Sequence, residues 1–183
     1  MEGRHGRARA PVLQVSSIAR ISLDTEAGTE LTGVWRALPG LGSAVSELAE
    51  RVYDYAASSL TARERECARM RVAQINNCMV CLGWRIPSLA EQGVDEELYA
   101  HVSESRDSPL YSLREKLCIE YVERFMLDHR NMGDEFWARM KQSFSEHEIL
   151  DLGITVGHLM AFGRLTAVLQ LGYAACSIER LTG

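Results

Sequence analysis

Residues 61–87 read TARERECARMRVAQINNCMVCLGWRIP, a stretch that holds both a helix start and a pair of cysteines. Thr61 and Glu64 form a capping-box pattern, which predicts a helix that ends at the following Asn-Asn pair. A second helix is then predicted to begin at Cys78 and Cys81. Two cysteines three residues apart lie on the same side of one helical turn, and free N–H groups at a helix start favour thiolates. The stretch therefore predicts a dithiol that can attack a substrate and close to a disulfide.

The rest of the chain has helical patterns and helix caps, and no segment shows the alternation typical of a strand. Two further capping boxes, at Ser112 with Glu115 and at Ser145 with Glu148, repeat the pattern of the first. The sequence therefore predicts an all-α fold. The predicted helices, apart from the one that begins at Thr61, span 29–36, 43–57, 78–93, 95–102, 112–128, 136–142 and 147–171.

Composition narrows the class of protein. The chain has 183 residues, of which 46% are hydrophobic and 25% charged, as in an ordinary soluble domain. The net charge of -5 argues against nucleic acid as a partner. Five cysteines, an odd number, do not suit a secreted disulfide framework, so we expect a cytoplasmic protein whose paired cysteines are catalytic or metal-binding.

The two ends of the chain carry no targeting or membrane signal that we recognise. Residues 1–27 contain several arginines but no long apolar core, so we expect a tail that is flexible or loosely docked rather than a signal peptide. A single helical domain is then predicted for residues 28–183. The longest apolar run, 152–162, is too short to cross a bilayer, so we expect no membrane partner.

Glu66 lies on a mostly apolar side of its predicted helix, near Met70 and Ala73. A carboxylate placed there needs a physical reason, because burying an unpaired charge is costly. One reason is a raised pKa, which suits a proton acceptor beside a thiol. The alternative is an ion pair with Arg69 or Arg71 across a partner helix. The sequence leaves both open.

Glu66 followed by Cys78-x-x-Cys81 resembles the carboxymuconolactone decarboxylase superfamily, and within it the AhpD-like alkylhydroperoxidase branch. The resemblance extends over most of the chain, from about residue 31 to 172. Three further segments carry it: GVDEEL from Gly93, LREK from Leu113 and FSEHEILDL from Phe144.

This resemblance implies an AhpD-like helical bundle that assembles into trimers or hexamers and acts as an antioxidant peroxidase. Cys81 would attack a hydroperoxide and become a sulfenic acid, and Cys78 would condense with it to a disulfide. Glu66 would relay a proton. No bound cofactor is implied; a dithiol reductant protein, with dihydrolipoyl groups in the best-known members, would restore the thiols.

The chain departs from the family motif CxxCxxxH, because Arg85 stands where the histidine is expected. Arginine cannot accept a proton at working pH, although its charge can favour a thiolate. Pro87 is expected to kink or restart the helix just past the dithiol. Trp84 would line a pocket or pack in the core. His158, in the apolar last helix, would either replace the missing base or serve as a hydrogen-bonded core histidine.

Other interpretations of the cysteine pair remain open. Packing as small hydrophobic side chains is one of them. A zinc site is disfavoured, because Cys67, Cys118 and Cys176 are scattered and no second CxxC supplies ligands, so these three are predicted to be structural. The main hypothesis is a thiol-dependent oxidoreductase acting on hydroperoxides or disulfides. The alternatives are a lactone decarboxylase or isomerase of the same family and a catalytically weak oligomeric binding protein.

Overall fold

A computed structural model describes residues 19–21 and 30–172, and the fold is given for these residues. They form helices and no strands, which confirms the predicted all-α class. The helices are α1 (Glu30–Ala37), α2 (Pro39–Val52), α3 (Ala62–Asn76), α4 (Met79–Gly83), α5 (Glu96–Ala100), α6 (Leu113–Leu127), α7 (Asp134–Ser143) and α8 (Glu146–Leu169). Three short 3-10 helices, Pro87–Gln92, Val102–Glu104 and His129–Asn131, connect them.

All three predicted capping boxes are present. In each, a serine or threonine oxygen accepts a hydrogen bond from the N–H three residues on, and the glutamate there accepts one from the cap residue's N–H. These reciprocal bonds satisfy N–H groups that have no partner within the helix, so the sequence fixes where three helices begin. The pairs are Thr61 with Glu64, Ser112 with Glu115, and Ser145 with Glu148.

Helix α3 lies at the centre and packs against both α6 and α8. Its buried side chains join two apolar clusters, one shared with α6, α7 and α8 and the other with the segment between α4 and α6. Leu82 and Ile86 pack against the second cluster, as does Cys81. The cysteine segment is therefore supported from below by α3 and the short helices that follow it.

Two predicted helix ranges are wrong. The helix expected over 43–57 is α2, which begins at Pro39 and ends at Val52. Proline suits the first turn of a helix, so Pro39 starts α2 instead of only ending the helix before it. The helix expected over 78–93 stops at Gly83, and a 3-10 helix restarts at Pro87, which confirms the predicted restart. Gly93, with φ of 76°, ends that 3-10 helix rather than an α-helix.

Helix α8 has 24 residues and is longer than the apolar run judged from the sequence. By length and composition alone this helix could cross a membrane, since the mean hydropathy of its most apolar segment is 1.4. The core helix of a soluble protein can have the same length and composition. Only 39% of that apolar segment is buried within the chain. Apolar side chains therefore remain on its surface, among them Leu150, Ile154 and Val168.

Several predictions fall on residues outside the described ranges. These are most of the tail at 1–27, the Thr29 start of the first helix, and the structural role of Cys176. Within the predicted tail, the backbone N–H of Arg20 donates to the carbonyl of Leu169, at 2.9 Å. This part of the tail therefore lies against the end of α8. The division at residue 27 remains a prediction.

Candidate functional site

A left-handed residue turns the chain from α3 into the cysteine segment. Asn77 has φ of 50° and ψ of 41°, a conformation that asparagine tolerates better than most residues. The backbone N–H of the next residue, Cys78, donates a hydrogen bond to the carbonyl of Ala73 at 3.1 Å. The predicted break is thus confirmed, and Cys78 is placed at the start of α4 with its position fixed against α3.

Cys78 and Cys81 are joined by a disulfide, with their Cα atoms 5.2 Å apart. Cys78 is fully buried, while Cys81 is partly exposed. Cys78 is also the N-cap residue of α4, and its sulfur accepts the backbone N–H of Cys81 at 3.3 Å. The predicted pair is therefore within bonding reach at a helix start, and Cys81 is the more exposed residue of the two.

Helix α8 packs beside the pair at Gly163, where Asn76, the last residue of α3, also contacts it. A Cβ placed on Gly163 would lie 3.6 Å from the Cys81 sulfur and 3.0 Å from the amide nitrogen of Asn76. That amide nitrogen donates to the carbonyl of Met160 at 3.1 Å, and the amide oxygen accepts from Arg164. The absence of a side chain at Gly163 lets α8 approach the Asn76 amide closely, whereas a methyl group there would make only an ordinary van der Waals contact with the Cys81 sulfur.

Glu66 is fully buried, and its carboxylate accepts hydrogen bonds from three side chains. The Nε and Nη2 atoms of Arg69 donate at 2.7–2.9 Å, Tyr99 donates at 2.5 Å, and Tyr55 donates to the other oxygen. Burial alone would raise the pKa of Glu66. The hydrogen bonds and positive charge of Arg69, together with the hydrogen bonds from the two tyrosines, instead hold this pKa below its ordinary value.

Of the two alternatives left open for Glu66, the raised pKa is contradicted and an ion pair is present. The partner is Arg69, one turn along the same helix, rather than an arginine across a partner helix. Three donors around an ionised carboxylate favour the charged form, so its proton affinity is reduced. In this structure the carboxylate of Glu66 fixes the position of the Arg69 side chain.

The sequence indicated Arg69 only as one of two candidate partners of Glu66 and did not predict its contacts with α4. Arg69 is 3% exposed, and it reaches from α3 to two backbone carbonyls at the end of α4. Its Nη1 donates to the carbonyl of Cys81 at 2.8 Å, and its Nη2 to that of Trp84 at 3.3 Å. The signal available in sequence was its position three residues after Glu66, which allows contact on one helix face.

Arg85 also binds the end of α4. Its guanidinium pairs with Glu96 at 2.5 and 2.9 Å, donates to the carbonyl of Leu82 at 2.7 Å, and lies 4.3 Å from the centre of the Tyr99 ring. Its described hydrogen bonds go to carbonyls and to Glu96, and none goes to a cysteine sulfur. Arg85 therefore caps the end of α4. The family motif, which has a histidine at this position, did not predict that role.

Trp84 and His158 have different surroundings. Trp84 is 51% exposed and its ring lies 6.3 Å from that of Tyr53, so it lies on the surface rather than in the core. His158 packs against Phe162 with ring centres 4.8 Å apart. Gly163, which lies beside the Cys81 sulfur, is five residues further along α8 and points about 140° away from His158 around the helix axis. Within residues 19–21 and 30–172 the Nδ1 of His158 has no partner, and burial lowers the pKa of its imidazole.

The other titratable groups considered in the sequence are not at this site. Cys67 and Cys118 are free, buried thiols in the two separate apolar clusters. Burial raises the pKa of each thiol. In the part of the chain that the structure describes, no group of three metal-ligating side chains is found.

Comparison with known proteins agrees with this architecture. Residues 39–124 match the sequence model of the carboxymuconolactone decarboxylase family. The chain is 23% identical over 121 residues to the uncharacterized protein YdfG of Bacillus subtilis (strain 168), covering 66% of this chain and 81% of YdfG.

Three solved structures share the fold. One is a protein of unknown function from Agrobacterium tumefaciens, described as a candidate antioxidant defence protein AhpD, with a TM-score of 0.63, 21% identity, and 75% and 92% of the two chains covered. A peroxidase-related protein from Silicibacter sp. TM1040 has a TM-score of 0.67, 15% identity, and 78% and 75% covered. The debrominase Bmp8, in complex with 2,3,4-tribromopyrrole, has a TM-score of 0.67, 12% identity, and 84% and 81% covered.

The family match spans α2 to near the end of α6, and so includes Glu66 and both cysteines of the pair. The chain is similar to the carboxymuconolactone decarboxylase family over slightly less than half of its length, and its fold is AhpD-like. The resemblance stated from the sequence is confirmed at that level. At 12–21% sequence identity, the likeness to these solved structures supports the fold alone and not a shared chemical activity.

Proposed function

We propose that this protein is a thiol-dependent oxidoreductase that reduces hydroperoxides, or disulfides, through the Cys78–Cys81 pair. The observation that carries the proposal is the placement of this pair, a buried and a partly exposed cysteine whose sulfurs are within bonding distance at a helix start. Exposure of Cys81 suits the attacking thiolate. Burial of Cys78 suits the resolving thiol, which needs to meet only Cys81.

The proposed cycle has three steps. The Cys81 thiolate attacks a hydroperoxide oxygen, so that an S–O bond forms, the O–O bond breaks and an alcohol leaves after taking a proton. The Cys78 sulfur then attacks the Cys81 sulfenic acid, which forms the disulfide and releases water. An external dithiol finally exchanges with the disulfide, becoming oxidised itself and returning both cysteines to thiols. Two electrons thus pass from the dithiol to the peroxide.

The cysteine segment contains features that support the first two steps. The Cys81 N–H that bonds the Cys78 sulfur stabilises negative charge there, which suits a thiol that must ionise to attack. At Gly163, no side chain of α8 stands against the Cys81 sulfur. Proton relay by Glu66 remains part of the proposal, with the change that the ionised carboxylate is bound by Arg69 and two tyrosines.

The reductant and the surroundings of the site are proposed from the family resemblance. A dithiol reductant protein, with a dihydrolipoyl group as the first candidate, would restore the thiols in the cytoplasm. We propose Trp84, exposed near the pair, as a residue that contacts the substrate. His158 packs with Phe162, so we do not give it the role of the missing base.

A homo-oligomer, a trimer or hexamer by family resemblance, is proposed from the surface of the chain. Apolar side chains on one helix and at the start of another are more than half exposed, and large exposed apolar areas mark interaction sites. They are Leu38 and Leu41 near the start of α2, and Leu150, Ile154 and Val168 on α8. Sedimentation analysis of the full chain would give the assembly size.

The proposal is tested by treating reduced protein with one equivalent of an organic hydroperoxide and measuring intact mass. We expect a loss of two hydrogens that peptide mapping assigns to Cys78 and Cys81. Peroxide consumption with a small dithiol should disappear in Cys81→Ser and persist in Cys67→Ser, a matched control at a buried cysteine. Unchanged consumption in Cys81→Ser would reject the proposal.

The same variants separate the alternatives. Lactone decarboxylation or isomerisation that survives replacement of both Cys78 and Cys81 by serine would identify the other enzymatic branch. Thiols no more reactive than a free model thiol at neutral pH would indicate a binding protein. Release of bromide from a bromopyrrole, dependent on Cys81, would instead give the dithiol the type of substrate named for Bmp8.

A further inference from the structure

The short helix that carries the dithiol is attached to α3 at both of its ends. At its start, the Cys78 N–H donates to the carbonyl of Ala73. At its end, Arg69 donates to the carbonyls of Cys81 and Trp84, at 2.8 and 3.3 Å. A five-residue helix has few internal hydrogen bonds of its own, so these external bonds decide how rigidly it is held.

Arg69 is itself fixed before it meets α4. Glu66 accepts from its Nε and Nη2 atoms in a bidentate pair, and the carboxylate is oriented from the other side by Tyr99 and Tyr55. Both members of the pair are buried, at 3% and 0% exposure of their side chains. A planar guanidinium with several donors can bind a carboxylate and two carbonyls at once, which an ammonium group cannot do.

We propose that Arg69 is a positioning residue that keeps the reduction potential of the Cys78–Cys81 disulfide low by fixing the end of α4. This inference rests on the proposed redox function of the pair. Arg69 acts through the backbone of Cys81 and Trp84, and none of its hydrogen bonds within the described residues reaches either sulfur.

The direction of the effect follows from conformational freedom. Reduction of the disulfide by glutathione forms two protein thiols and one oxidised glutathione, so two electrons pass to the protein pair. A fixed α4 keeps the two thiols close after reduction, which gives them a high effective concentration and favours closure. A loosened α4 gives the reduced form more freedom, and its disulfide is then easier to reduce.

The variant for the test is Arg69→Lys, which keeps a positive charge for Glu66 but gives up the simultaneous bonds to both carbonyls. We expect its disulfide to be about tenfold easier to reduce in glutathione buffers, a potential about 30 mV more positive than that of the unmodified chain. The matched control is Arg71→Lys. Arg71 lies two residues along the same helix and pairs with Glu123 on α6, so its replacement should leave the potential unchanged.

A second variant guards against misfolding. Arg69→Met combined with Glu66→Gln removes both buried charges together, so no unpaired charge remains, and it should shift the potential in the same direction. Circular dichroism would establish that each variant is folded. An unchanged or more negative potential in both variants, with a reversible disulfide in the unmodified chain, would overturn the inference and leave the proposed function intact. An unmodified chain that forms no reversible Cys78–Cys81 disulfide would overturn both.

Discussion

Two pairs of cysteines within the described residues differ in what surrounds their sulfur atoms. Cys67 and Cys118 are fully buried, each within an apolar cluster, and each is free. Cys78 is equally buried, yet it is bonded to a partly exposed neighbour and its sulfur accepts a backbone N–H. Burial alone therefore does not distinguish Cys78 from Cys67 and Cys118. A second sulfur within reach, together with a donor for the charged form, distinguishes the pair at α4.

Helix α3 serves both environments with adjacent residues. Cys67 contributes to an apolar cluster, while its neighbour Glu66 forms the buried ion pair that holds Arg69 against α4. The same turn of helix thus supplies packing and a charged support for the cysteine segment. Separate variants on this turn should affect stability and thiol chemistry in different proportions.

The largest effect is expected for Glu66→Gln, which leaves Arg69 buried without its ionised partner. We expect a loss of about 3 kcal/mol in the free energy of unfolding at pH 7. The folded state lowers the pKa of Glu66, so its contribution is present above the unfolded value of 4.5 and is lost as the pH falls through the folded value. Urea unfolding at several pH values would measure the gap between the two proteins, which should close below about pH 4.5.

The control for that variant is Glu123→Gln, which breaks the partly exposed pair with Arg71 on the same helix. An exposed pair contributes little, so the loss should stay below about 1 kcal/mol. A gap between the unmodified chain and Glu66→Gln that stayed constant down to pH 3 would show that the ionised carboxylate is not what stabilises α4.

The next largest expected effect is a difference in thiol reactivity between Cys81 and the two free, buried cysteines. After reduction, we expect Cys81 to be alkylated by iodoacetamide at pH 7 at least about 100-fold faster than the buried thiols, because those react only when the structure opens. Burial, with the negative charge of Glu115 added, raises the pKa of Cys67 and further slows its reaction. Peptide mapping by mass spectrometry gives each rate. Similar rates at Cys81, Cys67 and Cys118 would contradict the contrast drawn above.

Serine substitutions should then dissociate stability from activity. Cys118→Ser replaces a fully buried sulfur with a hydroxyl and is expected to cost about 1–2 kcal/mol of unfolding free energy, with peroxide consumption retained. Cys81→Ser, at a partly exposed position, should abolish consumption and, with the reduced chain as reference, cost less than about 0.5 kcal/mol. Thermal or urea unfolding under reducing conditions gives the first quantity and a peroxide assay the second. The opposite pattern would move the chemistry to Cys118.

The smallest effect is expected at the glycine beside the Cys81 sulfur. In Gly163→Ala the new methyl group would lie 3.0 Å from an Asn76 amide that hydrogen bonds on both sides already hold, so we expect a loss of about 1 kcal/mol. Gly157→Ala on the same helix meets nothing within 4 Å and should instead stabilise by about 0.5 kcal/mol. Urea unfolding of both variants provides the comparison. Equal stabilisation would mean that α8 does not press against the cysteine segment.

Local sequence signals predicted a large part of the fold. Capping boxes, the break at Asn77 and the restart at Pro87 involve contacts between residues a few positions apart, so their patterns are visible in the chain itself. The length of α4 was overestimated, because Gly83 and the residues before Pro87 leave the helix early. The ionisation of Glu66 and the roles of Arg69 and Arg85 were missed, because their partners are contributed by α4 and α5.

The sequence by itself determined an all-α chain with a CxxC at a helix start and its resemblance to a known family, since periodicity, caps and motif spacing are properties of neighbouring residues. Only the tertiary structure decided that Cys81 is the more exposed cysteine of the pair and that Glu66 is ionised beside Arg69. Exposure and pKa depend on which groups surround an atom in space, and those groups come from helices far apart in the chain.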